Sequence, residues 1–274
     1  MPARLAQAPV AAPATGALDG FSEPTASWFR AAFAEPTPAQ AQAWDAISKK
    51  ENALVIAPTG SGKTLAAFLW AIDKLANEPV PADAAKRCRV LYISPLKALA
   101  VDIERNLRSP LAGVGQAMRR MGLSEPDIRV GVRTGDTAPD DRRRLAGKPP
   151  DILITTPESL FLLLTSRARE GLRHIQTVII DEVHALAGGK RGAHLALSLE
   201  RLDALRSAGA TGAGRVKPAQ RIGLSATVRP PEEVASYLGG ALPVTVAAPP
   251  AEKRLDLKIV VPVDDMSEIG RAHV

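Results

Sequence analysis

Short, largely apolar runs recur along the chain, each followed by a polar or glycine-containing turn and a stretch with apolar residues at helical spacing. The run at residues 53–56 opens this rhythm, and the stretch 65–75 answers it as a helix. The same pattern predicts strands over 90–93, 128–132, 152–155, 178–180 and 222–224, and helices over 97–108, 139–146, 158–166, 192–206 and 231–238. Alternating strands and helices of this kind build an α/β fold, a mostly parallel β-sheet with helices on both faces. In such sheets ligands gather at the carboxyl ends of the strands, and several polar motifs of this chain fall there.

The flanks read differently. Residues 1–20 are rich in Ala, Pro and Gly with few large apolar side chains, the composition of a flexible leader. Trp28, Phe29 and Phe33 then supply aromatic anchors ahead of a helix over 41–47, for which Thr37 suits the cap and Pro38 the first turn. Residues 207–218 read as a surface loop and 247–251 as a linker, followed by one more strand over 255–261.

Of the 274 residues, 46% are hydrophobic and 23% charged, enough apolar material for a substantial core. The formal charge of +6 is compatible with a polyanionic partner. One cysteine, Cys88, excludes an internal disulfide framework, and its place beside the apolar run at 90–93 predicts burial. The four histidines show no metal-ligand spacing with it, so a zinc site is not expected. No apolar run reaches the roughly 20 residues that cross a bilayer, and the N-terminus lacks a secretory core. A cytoplasmic protein with no membrane partner is the expectation.

The stretch Ala57-Pro58-Thr59-Gly60-Ser61-Gly62-Lys63-Thr64 stands between the first strand and the first long helix. Its glycines allow a tight turn that aims backbone N–H groups inward, and the following helix directs its positive end to the same point. A polyphosphate fits there, with Lys63 reaching the β- and γ-phosphates and the Thr64 hydroxyl on an accompanying Mg²⁺ ion. Ala57 stands where the usual phosphate-loop pattern has its first glycine. A glycine turn with an incidental Lys-Thr would read the same locally, but the flanking strand and helix supply the context that a phosphate loop requires.

Two further strand ends carry chemistry. Asp181-Glu182-Val183-His184 follows the strand at 178–180, and carboxylates there would be desolvated unless paired or metal-bound. With a phosphate loop in the same sheet, Asp181 can hold Mg²⁺ and Glu182 can deprotonate the water that attacks the γ-phosphate. Ser225-Ala226-Thr227 follows the strand at 222–224, and its hydroxyls are candidates to bond His184 and sense the nucleotide state. Upstream, the Gln40 amide offers the donor and acceptor that adenine requires.

In this order the motifs resemble those of superfamily 2 helicases, and most closely the large helicase-related (Lhr) family. Gln40 is similar to the adenine-reading Q motif, Ala57–Thr64 to motif I, Ser94-Pro95-Leu96-Lys97-Ala98-Leu99 to motif Ia, and Thr155-Thr156-Pro157-Glu158-Ser159-Leu160 to motif Ib. Asp181–His184 is similar to motif II in its DEVH form, and Ser225–Thr227 to motif III. Arg133-Thr134-Gly135-Asp136-Thr137 and Lys190-Arg191-Gly192-Ala193-His194 also resemble Lhr segments.

The resemblance implies a RecA-like P-loop NTPase domain that binds ATP and Mg²⁺ and acts on single-stranded DNA, a DNA–RNA hybrid or RNA, with 3′-to-5′ movement and a repair role. It implies that motifs Ia and Ib grip the strand, through Ser94, Pro95, Lys97, Thr155, Thr156, Pro157 and Glu158, beside Arg133, Gly135, Asp136 and Arg191. Ser, Thr, Lys and Arg are phosphate-contacting types, and helix starts at Pro95 and Pro157 would add free N–H groups. Arg142-Arg143-Arg144 reads as a solvated helix face.

A complete helicase of this type places ATP between two RecA-like domains, the second carrying arginines that stabilise the transferring phosphate. The chain contains none of those motifs. The division expected is a leader at 1–20, the ATP-binding domain at 21–247, and at 248–274 a linker toward a second RecA-like domain in cis. Residues 268–274 match a translated sequencing adapter, so a longer natural protein is expected. Two readings stay open: a motor domain that hydrolyses ATP in its full-length context, and a module that binds nucleotide and nucleic acid without turnover of its own. A P-loop kinase or transport ATPase would not carry the Ia, Ib and Ser-Ala-Thr segments.

Overall fold

A computed structural model describes residues 16–208, 217–226 and 228–250. Among these, seven strands form one sheet: β1 (Asn52–Ile56), β2 (Val90–Ile93), β3 (Val130–Arg133), β4 (Ile152–Thr155), β5 (Thr177–Ile180), β6 (Gln220–Ser225) and β7 (Val244–Ala247). Their order is β3-β4-β2-β5-β6-β1-β7, and every neighbouring pair is parallel.

Why the strand runs are apolar throughout is visible in the packing. Ala53 and Val55, Val90 and Tyr92, Ile152 and Ile154, Ile222 and Leu224 point into one core layer. Their neighbours Leu54, Ile56, Leu91, Ile93 and Leu153 enter the layer on the opposite face. Successive side chains alternate sides, so a sheet covered twice needs apolar residues at every position. The first layer is closed by α2 (Pro38–Ser48), α3 (Lys63–Asn77) and α4 (Lys97–Arg120), the second by α6 (Pro157–Leu164), α8 (Lys190–Ala208) and α9 (Pro231–Gly239). The short α5 (Pro139–Gly147) and α7 (Val183–Ala187) complete the set used below.

Four expectations shift. The aromatic anchors lie on or beside a helix, α1 (Glu23–Ala32), whose Phe29 packs with Phe21, Trp44 and Leu69 in a third cluster. Trp28 sits so close to α4 that a Cβ on Gly113 would lie 1.9 Å from its Nε1, so this crossing requires the glycine. Helix α4 runs through Pro110 to Arg120 rather than ending near 108, because Ile103, Leu107, Val114 and Met118 keep an apolar face buried across the proline. Strand β7 adds an edge on β1 at residues placed next to the expected linker, with Asn52 Nδ2 donating to the Pro243 carbonyl at 3.2 Å. The strand expected over 128–132 begins two residues later. The leader at 1–15, most of the loop at 207–218, and the strand at 255–261 with the remainder of the C-terminal segment lie outside the described residues. No helix among the described residues is long and apolar enough to cross a membrane.

Candidate nucleotide site and nucleic-acid interface

The strand order β5-β6-β1 brings the three nucleotide motifs to adjacent carboxyl ends, although they are far apart in sequence. The Ala57 N–H donates to the Ser225 carbonyl at 3.3 Å, which ties the start of the loop to the end of β6. Gly60 and Gly62 hold φ of +83° and +78°, the left-handed conformation that favours glycine. Gly62 is the N-cap of α3, with no side chain closing the helix end.

Lys63 is folded back on the loop, donating to the carbonyls of Ala57 and of Pro58, the latter at 3.0 Å. Burial lowers its pKa from the ordinary lysine value, while the nearby Glu182 and Asp181 carboxylates act in the opposite sense. Ala57 is buried, Pro58, Ser61, Lys63 and Thr64 are half-buried, and Thr59 and Gly60 are exposed.

Gln40 has an assignment that periodicity did not predict. Its Oε1 accepts from the Thr37 N–H at 2.9 Å, its own N–H donates to Thr37 Oγ1, and its Nε2 donates to the Gly62 carbonyl at 3.3 Å. Thr37 Oγ1 donates in turn to the Ser61 carbonyl at 3.2 Å. The amide expected to read adenine is thus buried and engaged at both ends, capping α2 and bracing the loop.

Asp181 is 9% exposed and held from two sides. Tyr92 Oη donates to Oδ2 at 2.6 Å, and the Glu182 N–H donates to Oδ1 at 3.0 Å. Burial, then the charge of Asp181, pushes the Tyr92 pKa far up, so the hydroxyl keeps its proton and donates. Sequence reading missed Tyr92 because an apolar run that includes a tyrosine gives no sign of where its hydroxyl points. Glu182 has φ +44°, a conformation that costs an L-residue roughly 1–2 kcal/mol. Its Oε2 lies 3.4 Å from His184 Nδ1, and Ser225 Oγ lies 3.1 Å from the same nitrogen. Glu182, His184 and Ser225 therefore meet at one imidazole edge. Ser225 also donates to the Ala226 carbonyl, and Thr227 lies outside the described residues.

Among the described residues, neither carboxylate of the Asp181–Glu182 pair forms an ion pair with a lysine or arginine. Hard oxygen donors without a protein cation fit Mg²⁺, which is commonly held by one or two carboxylates and by substrate phosphates.

The nucleic-acid candidates divide into a buried set and an exposed set. Ser94, Thr155 and Thr156 are at most 2% exposed. Their hydroxyls are engaged internally: Ser94 Oγ donates to the Leu96 carbonyl, Thr155 Oγ1 to the Arg133 carbonyl, and Thr156 Oγ1 to Ser159 Oγ while accepting the Ser159 N–H. Pro95 and Pro157 are buried as well. Helix α4 begins at Lys97 rather than Pro95 and has no side-chain cap, whereas Thr156 closes the start of α6.

What faces outward is a rim of charge at the ends of β2, β3 and β4. Lys97 Nζ pairs with Asp136 Oδ1 at 2.6 Å, joining α4 to the loop after β3. Gly135 lies under that pair, where a Cβ would approach Lys97 Nζ to 3.3 Å. Arg191 grips Glu158 with both a guanidinium Nε and an Nη, joining α8 to α6. This pairing holds the Glu158 carboxyl below its usual range. Half-buried Arg133 has its pKa lowered by burial and by the charge of Arg142. Arg142 itself departs from the expected solvated face: it donates to the carbonyls of Thr137 and Gly135 at 2.7 and 2.6 Å and so shapes the loop. Arg143 and Arg144 pair on the surface with Asp140 and Asp141.

Comparison with known proteins fits this arrangement. The DEAD/DEAH box helicase model matches residues 37–234. The chain is 62% identical over 258 residues to the Lhr helicase/probable uracil glycosylase of Mycolicibacterium smegmatis, covering 94% of this chain and 16% of that protein. It is 57% identical over 256 residues to the Lhr helicase/uracil glycosylase of Escherichia coli, covering 92% and 16%. The chain thus spans about a sixth of the length of these relatives. The solved structure of Mycobacterium smegmatis helicase Lhr bound to ssDNA and AMP-PNP superimposes with a TM-score of 0.80 at 62% identity, over 92% of this chain and 30% of that one. The fold is that of a RecA-like helicase domain. A phosphate loop, an acidic pair and a Ser-Ala turn on three adjacent strand ends, matched by a family model over most of the chain, show that this chain belongs to the DEAD/DEAH box helicase family and is similar to the Lhr helicases within it.

Proposed function

We propose that residues 21–247 are the ATP-binding motor domain of an ATP-dependent, cytoplasmic nucleic-acid helicase or translocase. The observation that carries this is the approach of the Lys63 ammonium and the Asp181–Glu182 carboxylates across β1, β6 and β5, with an uncapped α3 N-terminus aimed at the same space. A triphosphate in the loop takes the place of the Ala57 and Pro58 carbonyls as the partner of Lys63. The α3 N–H groups and the loop backbone hold the remaining phosphate oxygens. Thr64 and Asp181 would hold a Mg²⁺ ion, which supplies charge neutralisation on the β- and γ-phosphates when bound. Glu182 accepts the proton of the attacking water, and His184, hydrogen-bonded to Ser225, relays the state of that carboxylate to the Ser-Ala-Thr turn. Gln40 serves the site by holding Gly62, and reads adenine only if its amide leaves that carbonyl.

Nucleic acid lies on the charged rim. Lys97, Arg133 and Arg191 contact phosphates, with Gly135 permitting close approach of the strand, while Asp136 and Glu158 hold two of those cations in its absence. Contacts of this kind read no sequence, so binding is nonspecific and salt-sensitive. The test is ATP turnover with and without single-stranded DNA, by this chain and by a version extended with a second RecA-like domain. DNA-stimulated turnover in the extended protein is the expected result. Absence of both nucleotide binding and turnover in both proteins would overturn the reading, and tight binding without turnover in both would favour the noncatalytic module.

A further inference from the structure

We propose that Tyr92 is a positioning residue for the metal-holding carboxylate of Asp181, an assignment that rests on the nucleotide-site reading above. Tyr92 lies on β2 in register with Ile179 on β5, two residues before Asp181. Its ring is wholly buried and stacks on Phe68 with centroids 4.9 Å apart and planes inclined by 24°. Phe68 belongs to α3, the helix whose first residues are Lys63 and Thr64. A rigid chain of contacts therefore runs from the phosphate-loop helix through two stacked rings and one hydroxyl to the acidic pair.

The bond at its end is short, 2.6 Å, within the range for a hydroxyl donating to an ionised carboxylate. With the Glu182 N–H on Oδ1 and the Tyr92 hydroxyl on Oδ2, the carboxylate is fixed through both oxygens. Each oxygen keeps acceptor capacity for an ion or its water. Partners of this outer kind orient the ligating group, and their loss typically weakens metal binding by about 10–100-fold. Tyrosine does here what phenylalanine cannot, although either ring would fill the same core space.

Tyr92→Phe removes the hydroxyl and keeps the ring. The measurement is fluorescence binding of N-methylanthraniloyl-ADP to the 274-residue chain across a MgCl₂ series and in EDTA, with unfolding curves as a control on folding. The expected result is a Mg²⁺ midpoint raised about tenfold, with binding in EDTA and the unfolding midpoint close to those of the unsubstituted chain. In an Asp181→Asn background the same substitution leaves the midpoint unmoved, because the hydroxyl acts through that carboxylate. An unchanged midpoint in Tyr92→Phe, alongside Mg²⁺-dependent binding by the unsubstituted chain, overturns the assignment and leaves the nucleotide site standing. A shift of equal size in the Asp181→Asn background overturns it too, as a purely structural effect. Binding by the unsubstituted chain that does not depend on Mg²⁺ overturns this assignment alone, whereas absence of nucleotide binding and turnover in both this chain and the extended protein removes the nucleotide-site reading and this assignment with it.

Discussion

The two ends of the sheet handle charge in opposite ways. At the amino ends, Asp151 is 0% exposed and is gripped by Arg87 Nε at 2.8 Å and Arg89 Nη2 at 3.2 Å, while Asp151 Oδ2 also accepts the Arg129 N–H. Arg221, nearly as buried, is held by Glu200, Asp203 and the Leu238 carbonyl. At the carboxyl ends the ion pairs of Lys97 and Arg191 are exposed, Lys63 rests on backbone carbonyls, and Glu182 sits in a left-handed conformation. Both ends are rich in arginine, lysine and carboxylate. The difference is that the amino end, called closed below, buries its ion pairs within the protein, whereas the carboxyl end, called open, leaves its cations on exposed carboxylates or on loop carbonyls. Strain and exposed partners are expected where a ligand binds and buried ion pairs where the fold is held, although Arg89 Nε at the closed end has no hydrogen-bond partner among the described residues.

The widest separation of the two ends comes from Lys63→Ala and Glu182→Gln. The first is expected to abolish nucleotide binding in an equilibrium titration. The second is expected to leave binding intact while turnover, measured in a protein extended with a second RecA-like domain, falls by about 100- to 10,000-fold. Neither is expected to lower the unfolding midpoint, and normal hydrolysis by Glu182→Gln would remove it from the role of base. At the closed end Asp151→Ala leaves two buried guanidiniums without their common partner, so unfolding in urea should show a loss of about 3–5 kcal/mol. Nucleotide affinity, measured well below the transition, should not move.

Smaller effects sharpen the same contrast. Lys97→Ala and Arg191→Ala should each lower affinity for single-stranded DNA and make the dependence on log salt shallower by about one unit or less. The pairs they break contribute about 0–1 kcal/mol, so melting should stay within a degree or two. Equal loss of stability at both ends would break the comparison. The smallest effect concerns Cys88, buried at the closed end, whose pKa is pushed up to about 12 by burial and by Asp151. The thiol stays protonated in the fold at pH values where the unfolded chain has begun to ionise near 9, so it contributes stability that is lost as pH rises from about 9 toward 12. Cys88→Ser should flatten that part of a stability–pH curve, and the native thiol should react with iodoacetamide only after denaturant is added.

Much of this was legible in the residue pattern. Runs such as Leu91 between Val90 and Tyr92 are apolar throughout because each side chain enters one of two layers, and a sequence reports that directly. The tight turn at residues 57–64 was legible because its glycines are tied to backbone geometry within eight residues, with Gly60 and Gly62 at positive φ. Where the pattern and the structure diverge, the cause is shared. Pro110 signals a helix end, yet α4 continues through it because its face is buried against the sheet and α1. Ser94, Thr155 and Thr156 have the chemistry of phosphate contacts, yet neighbouring backbone groups engage their hydroxyls. Arg142 looks like one of three solvated cations and is the brace of a loop.

The sequence by itself determined the parallel sheet, its covering helices, the loop that would hold phosphate and the acidic pair, since each follows from local spacing and from the requirement that apolar runs be buried. Only the tertiary structure decided which strand ends stand side by side, that Tyr92 holds Asp181, that Gln40 grips Gly62, and which polar side chains face the solvent. The Gln40 and Tyr92 contacts reach partners 22 and 89 residues away in the chain, and the direction of a single hydroxyl or amide is fixed by what packs against it rather than by its neighbours in sequence.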